Sequence, residues 1–283
     1  MRKEGLLLAF GLLILTTLAF VKPEGEIQLQ GVIRNEAGYL VEKIEIIIFK
    51  NGEYVCEGRS DRYGNYSLTL FEEGIYDITV GKNNNNYYTV SDTSIQILPL
   101  KIFRKDFLLK VNKQELQHKT TRLIEAYEHL EKNPMNIYYK GIYFNRFPSS
   151  MDEMLLFFSP RIPYFNLKKE ADDVVTKFVD TQMVSDTSYF FKYSNILLGW
   201  TEQTDLKCYK YFTSRMDGMI YKNPEGFFDV LHFYNNDDVK SIFSQTLKSF
   251  TKEQVNSSFE KLQLYNPRIY SIYKETANEM NIK

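Results

Sequence analysis

At 283 residues, with 43% hydrophobic and 25% charged residues, the chain has the composition of a globular protein and not of a disordered one. Hydrophobic cores usually divide before this length, which favours two domains over one. The formal charge of −1 offers no basic excess to neutralise phosphates, which argues against nucleic acid as a partner.

Residues 5–21 form an uninterrupted apolar run preceded by Arg2 and Lys3. As a helix this run would measure about 25 Å, slightly short of a ~30 Å hydrocarbon core. The basic residues ahead of it favour a cytoplasmic N-terminus. Two readings stand side by side for residues 1–25. A secretory signal would be cut at a small-x-small site such as Thr17-Leu18-Ala19, whereas an anchor would keep the run and continue into Lys22-Pro23-Glu24. Both send the rest of the chain out of the cytosol, so the expected location is a bacterial cell envelope, facing the periplasm or secreted. The expected membrane contact is through residues 5–21.

From Ile27 the apolar period becomes two, the strand signature. Ile44, Ile46 and Ile48 alternate with Glu45, Ile47 and Phe49. Tyr66, Leu68 and Leu70 form a second set, and Tyr76, Ile78 and Val80 a third. Asn51-Gly52, Asp61 to Asn65, Glu73-Gly74 and the run Asn83 to Asn86 supply turn chemistry between them. Short strands at this spacing predict a small antiparallel β-sandwich over residues 26–111. Oxygen donors at Asp61, Asn65 and Asp77 would suit calcium, but Asp61 and Asn65 are also what the turn itself needs.

Gly31-Val32-Ile33, Gly38, Ile44-x-Ile46, Ser60-Asp61-x-x-Gly64-Asn65-Tyr66 and Gly74-Ile75-Tyr76-x-Ile78-x-Val80 together resemble the carboxypeptidase regulatory-like domain. The resemblance implies a transthyretin-like β-sandwich serving as a non-catalytic spacer or adhesion unit. It does not carry over the zinc peptidase activity. That chemistry needs His-x-x-Glu, and none of His118, His129 and His232 is followed by Glu at that spacing.

After Val111 the period changes to 3.6, and eight or nine short-linked helices are expected over residues 113–283, an all-α domain. Leu116, Leu123, Ile124, Tyr127 and Leu130 make the first stripe. Ser150-x-x-Glu153 and Thr251-x-x-Gln254 read as capping boxes, and Pro224 and Pro267 suit first helical turns. The whole is thus a multidomain chain: an N-terminal hydrophobic helix, a small sandwich and an all-α domain. Tyr138-Tyr139, Phe144-x-x-Phe147-Pro148-Ser149-Ser150 and Gly199-Trp200 are similar to a loose group of uncharacterised bacterial helical proteins, which implies no known activity.

Candidate chemistry is sparse. His118, Arg122, Glu125 and His129 share one helix face, but the two histidines would stand about 16 Å apart, too far for one metal. Asp172-Asp173 and Asp237-Asp238 sit at expected helix starts, where acids favour the dipole. Adjacent helical residues point about 100° apart, so neither pair is placed as an acid–base dyad. Cys56 and Cys208 are read as free thiols, with an inter-domain disulfide as the alternative. No P-loop, G-x-S-x-G or G-x-G-x-x-G occurs, and no cofactor is expected. Tyr138, Tyr139, Tyr143 and Trp200 are the candidates for partner binding, by stacking on peptides or sugars. The leading expectation is a non-enzymatic scaffold for a protein partner. A row of exposed rings would instead point to carbohydrate, and a pocket holding a strained carboxylate to a hydrolase.

Overall fold

The computed structural model describes residues 25–82, 87–162, 167, 171–180, 186–199, 207–249, 259 and 262–281. The apolar run 5–21, the four-asparagine run, Trp200 and the Thr251 capping box lie outside them. No helix among the described residues is long and apolar enough to cross a membrane.

Eight strands come first. They are β1 (Ile27–Asn35), β2 (Glu45–Lys50), β3 (Glu53–Arg59), β4 (Asn65–Leu70), β5 (Gly74–Val80), β6 (Ser91–Ile97), β7 (Ile102–Arg104) and β8 (Phe107–Leu109). One sheet has the order β3-β2-β5-β6 and is antiparallel throughout. The other places β1 between β4 and the pair β7 and β8, and here the expectation of an antiparallel sandwich is corrected: β7 and β8 run parallel to β1. A parallel partner needs a crossover. The chain makes it after β6, leaving one sheet to reach the far edge of the other. Such a step leaves no trace in the period of the side chains.

The alternation itself holds. Tyr66, Leu68 and Leu70 of β4 and Tyr76, Ile78 and Val80 of β5 all face the core. β2 departs from it, because Glu45 and Ile47 on its other face are buried as well. β2 lies between β3 and β5, and the Arg59 guanidinium of β3 lies 3.6 Å from the Glu45 carboxylate.

Two glycines of the sandwich are positions no other residue can fill without movement. A Cβ on Gly31 would stand 1.8 Å from the Lys105 carbonyl oxygen, at the break between β7 and β8. Gly64 has φ +70° and closes the turn in which Asp61 accepts from the amides of Tyr63 and Asn65. That turn occupies the Asp61 carboxylate in the way the sequence suggested.

The strand registers give the sandwich two distinct ends. The start of β1, the β2–β3 and β4–β5 hairpins and the β6–β7 connection share one end, since Ile27 pairs Leu70, Gly74 pairs Ile97 and Gln28 pairs Ile102. The opposite end meets the helices.

The period changes at Asn112, whose side chain caps α1 (Lys113–Lys132) by accepting from the Glu115 amide. Then come α2 (Ile137–Arg146), α3 (Met151–Phe158), α4 (Ala171–Asp180), α5 (Asp186–Leu198), α6 (Lys207–Lys222), α7 (Pro224–Leu231), α8 (Asn236–Thr246) and α9 (Pro267–Glu279). Pro224 and Pro267 occupy first turns behind Asn223 and Asn266, which cap with their side chains. Rings pack against one another through this core, among aliphatic side chains. Phe147 stacks on Phe178 at 3.7 Å between centroids, and Phe227, Phe228, Phe243, Phe259 and Tyr273 form a second ring cluster. The Phe147-Pro148-Ser149-Ser150 element is thus a helix start whose aromatic residue is sunk in the core.

Candidate functional site

A polar concavity lies where the sandwich meets α3. It is a cleft of about 370 Å³ lined by Glu42, Lys43, Arg59, Tyr87, Tyr88, Asp152, Glu153 and Asn195, among others. Its floor follows from local sequence. Ser150 caps α3, accepting from the Glu153 amide at 3.3 Å. A reciprocal capping box would return Glu153 to the Ser150 amide. Here Glu153 reaches one residue further and accepts from the amide and hydroxyl of Ser149, at 2.7 and 2.8 Å. Its second carboxylate oxygen accepts from the Tyr87 hydroxyl of the sandwich at 3.0 Å.

Asp152, beside it, accepts from the Tyr88 hydroxyl at 2.6 Å. Burial pushes the Asp152 carboxyl from 3.8 up to about 7, against the pull of the Tyr88 hydrogen bond, with Glu42 and Glu153 adding to the rise. Burial likewise raises both tyrosine hydroxyls. Three further contacts cross the same junction. The Tyr39 and Ser159 hydroxyls are bonded, Tyr87 meets Phe157 edge-on, and Arg62 pairs with Asp238 of α8 at 2.9 Å. One buried core runs through sheets and helices.

Next to the cleft, Lys192 of α5 donates to the Phe147 carbonyl at 2.6 Å and lies 4.9 Å over the Phe144 ring. Burial pushes its ammonium down to about 8. The carbonyl it meets ends α2, where a cation complements the helix dipole.

The four partner-binding candidates do not form one group. Tyr143 is 1% exposed, and its hydroxyl donates to the Val174 carbonyl. The expectation that it faces a partner is therefore corrected, because the helical period turns it inward with Phe144. Tyr139 is half-buried and stacks on His129 at 5.2 Å, 8° from parallel. Tyr138 is 70% exposed, flanked by Met135 at 85% and Ile137 at 79%. Together these three make an apolar corner between α1 and α2. Asn136 holds the corner by accepting from the Tyr138 and Tyr139 amides. Met135 and Ile137 were missed in the sequence; the signal was an apolar run interrupted only by a capping asparagine.

The other candidates resolve separately. His118 and Glu125 remain on the exposed face of α1. Asp172 and Asp173 lie in the first turn of α4, and Asp237 and Asp238 in that of α8, with Asp238 also holding Arg62. Cys56 is a free thiol. No group of three or more metal-ligating side chains occurs among the described residues. A second, more open hollow of about 780 Å³ lies on the sandwich, where Arg59, Arg104 and Lys105 meet Gln30, Asn65 and Ser67.

No known sequence family matches the chain, and no curated protein matches it. Its similarities to solved structures lie in about a third of its length. A 3-chlorocatechol 1,2-dioxygenase of Rhodococcus opacus matches at 10% identity with a TM-score of 0.26, over 32% of this chain and 62% of that one. A 5-hydroxyisourate hydrolase of Klebsiella pneumoniae matches at 15% identity and 0.26, over 30% of this chain and 90% of its own. A DUF3823 family protein of Parabacteroides merdae matches at 18% identity and 0.23, over 31% and 46%. Likenesses this low carry no argument about activity.

Proposed function

We propose that the protein is an exported, non-catalytic scaffold that holds a protein partner through its helical domain, with a carboxypeptidase regulatory-like sandwich as the spacer. The observation that supports this reading is the corner of Met135, Ile137 and Tyr138. Three large apolar side chains within four successive positions stand mostly in water, at 85, 79 and 70%. Clustered exposed apolar residues of this kind mark interaction sites, with aromatic and Met side chains enriched in them. The corner stands one helix length, about 30 Å, from the junction with the sandwich.

A photo-crosslinking amino acid at position 138, in cells making the full chain, tests the proposal. The expected result is a discrete adduct that disappears when Met135 and Ile137 are both changed to Ser. Absence of any adduct at 138, with adducts at exposed polar positions such as Glu128, would refute it.

The Asp152 cleft is the observation that favours a hydrolase as the second reading, since a carboxyl near 7 suits general acid–base work. Against it, Asp152 and Glu153 are already engaged in joining α3 to the sandwich. Turnover of an ester, peptide or glycoside by purified protein, lost on Asp152→Asn with folding intact, would establish that second reading. The carbohydrate reading has less support, because the exposed rings Tyr54, Tyr138, Tyr221 and Phe233 sit on separate elements.

A further inference from the structure

We infer that the end of the sandwich opposite the helices rests on the lipid surface beside the chain's own anchor. The inference rests on the proposed export and on the anchor, of the two readings of residues 1–25, in which the run 5–21 stays in the membrane.

At this end the connection Leu98-Pro99-Leu100-Lys101-Ile102 is exposed along its whole length, with Leu98, Leu100 and Ile102 at 48, 49 and 47%. Across the sandwich, the β4–β5 hairpin adds Phe71 at 57%, and β5 adds Ile75 at 62%. Strand pairing places these residues at one end: the Gln28 amide donates to the Lys101 carbonyl, Ile27 pairs Leu70, and Gly74 pairs Ile97.

The same pairing places the first residue of β1 there too. Ile27 follows the apolar run by six residues, which span at most about 20 Å when extended. An anchor ending at Val21 therefore holds this end, and not the helical end, close to the headgroups. Exposed Phe, Leu and Ile side chains gain by entering the headgroup–acyl boundary, which takes their apolar surface out of water.

The charges fit an apolar contact better than a phosphate-binding one. Lys50 is paired with Glu72, and Lys101 is accompanied by Glu26, Glu53 and Glu73. The contact is therefore expected in zwitterionic vesicles and is insensitive to salt. It would aim the helical domain away from the bilayer.

The test uses the full chain in phosphatidylcholine vesicles, with Cys56 and Cys208 changed to Ser. An environment-sensitive dye is placed on Leu100→Cys or Leu98→Cys, and on Leu264→Cys of the helical domain as the reference, a site 94% exposed. Nitroxide-labelled lipids are expected to quench positions 98 and 100 at least about threefold more than 264, because only boundary-inserted probes meet the lipid label. Vesicle flotation after alkaline extraction reports the anchor separately. Flotation with equal quenching at 100 and 264 overturns the inference and leaves the anchor standing. Failure to float overturns the anchored reading, and the inference with it. A blue-shifted dye at 100 without lipid quenching assigns the apolar end to a second copy or to residues 5–21, and also overturns the inference.

Discussion

Replacing Asp152 with Asn should change how stability depends on pH more than it changes stability itself. Burial holds the Asp152 carboxyl near 7 in the folded chain, against 3.8 for the free group. Between those values the folded state keeps a proton that the unfolded state releases. Stability therefore falls as pH rises through the window from about 4 to 7, and the penalty is complete above it. At about 1.4 kcal/mol per pKa unit the ceiling is about 4 kcal/mol. Water reaching this half-buried side chain through the cleft reduces it to about 1–3 kcal/mol. Asparagine keeps an oxygen to accept from Tyr88 and carries no charge to desolvate. Urea unfolding of wild type and Asp152→Asn between pH 3 and 8.5 should give curves that converge at the acid end, below about pH 4, where the carboxyl is protonated in both states. They should separate by about 1–3 kcal/mol in favour of the variant at pH 8. A variant less stable than wild type at pH 8, or one with the same slope, would show that the carboxylate form is the one the junction is built around.

Gly31→Ala should cost about 2–4 kcal/mol, read from thermal or urea unfolding, because the Lys105 carbonyl occupies the place of the new methyl group. Phe147→Ala removes a fully buried ring stacked on Phe178 and should cost about 3–5 kcal/mol by the same measurement. Ser150→Ala should cost about 1 kcal/mol through loss of the α3 cap. In a double-mutant cycle, Arg62→Ala and Asp238→Ala should couple by about 0.5–1 kcal/mol, as both side chains are about a quarter exposed.

What was legible in the sequence was local. The alternation of Tyr66, Leu68 and Leu70 states which face of β4 is inward, since successive strand residues point to opposite sides. The Leu116 to Leu130 stripe does the same for α1, and Pro224 and Pro267 mark helix starts because their missing amides have no partner to lose. The change of period at Asn112 marks the boundary between strands and helices. Gly64 was legible too, because only a turn residue with positive φ suits that position.

The rest depended on partners distant in the chain. That β7 and β8 lie parallel to β1 follows from a crossover, which composition does not encode. Tyr143 and Tyr138 look alike in sequence, and only the packing of α2 on α1 and α4 decides that one is core and the other surface. The cleft was equally hidden. Glu153 reads as the acid of a capping box, and nothing in the sequence joins it or Asp152 to Tyr87 and Tyr88, 64 to 66 positions away. The sequence by itself determined the order of strands and helices, their inward faces and their caps, since each depends on neighbours within a turn or a strand. Tertiary structure alone decided which apolar residues stay in water and which carboxyl loses it, because burial belongs to surfaces that meet only after the chain has folded.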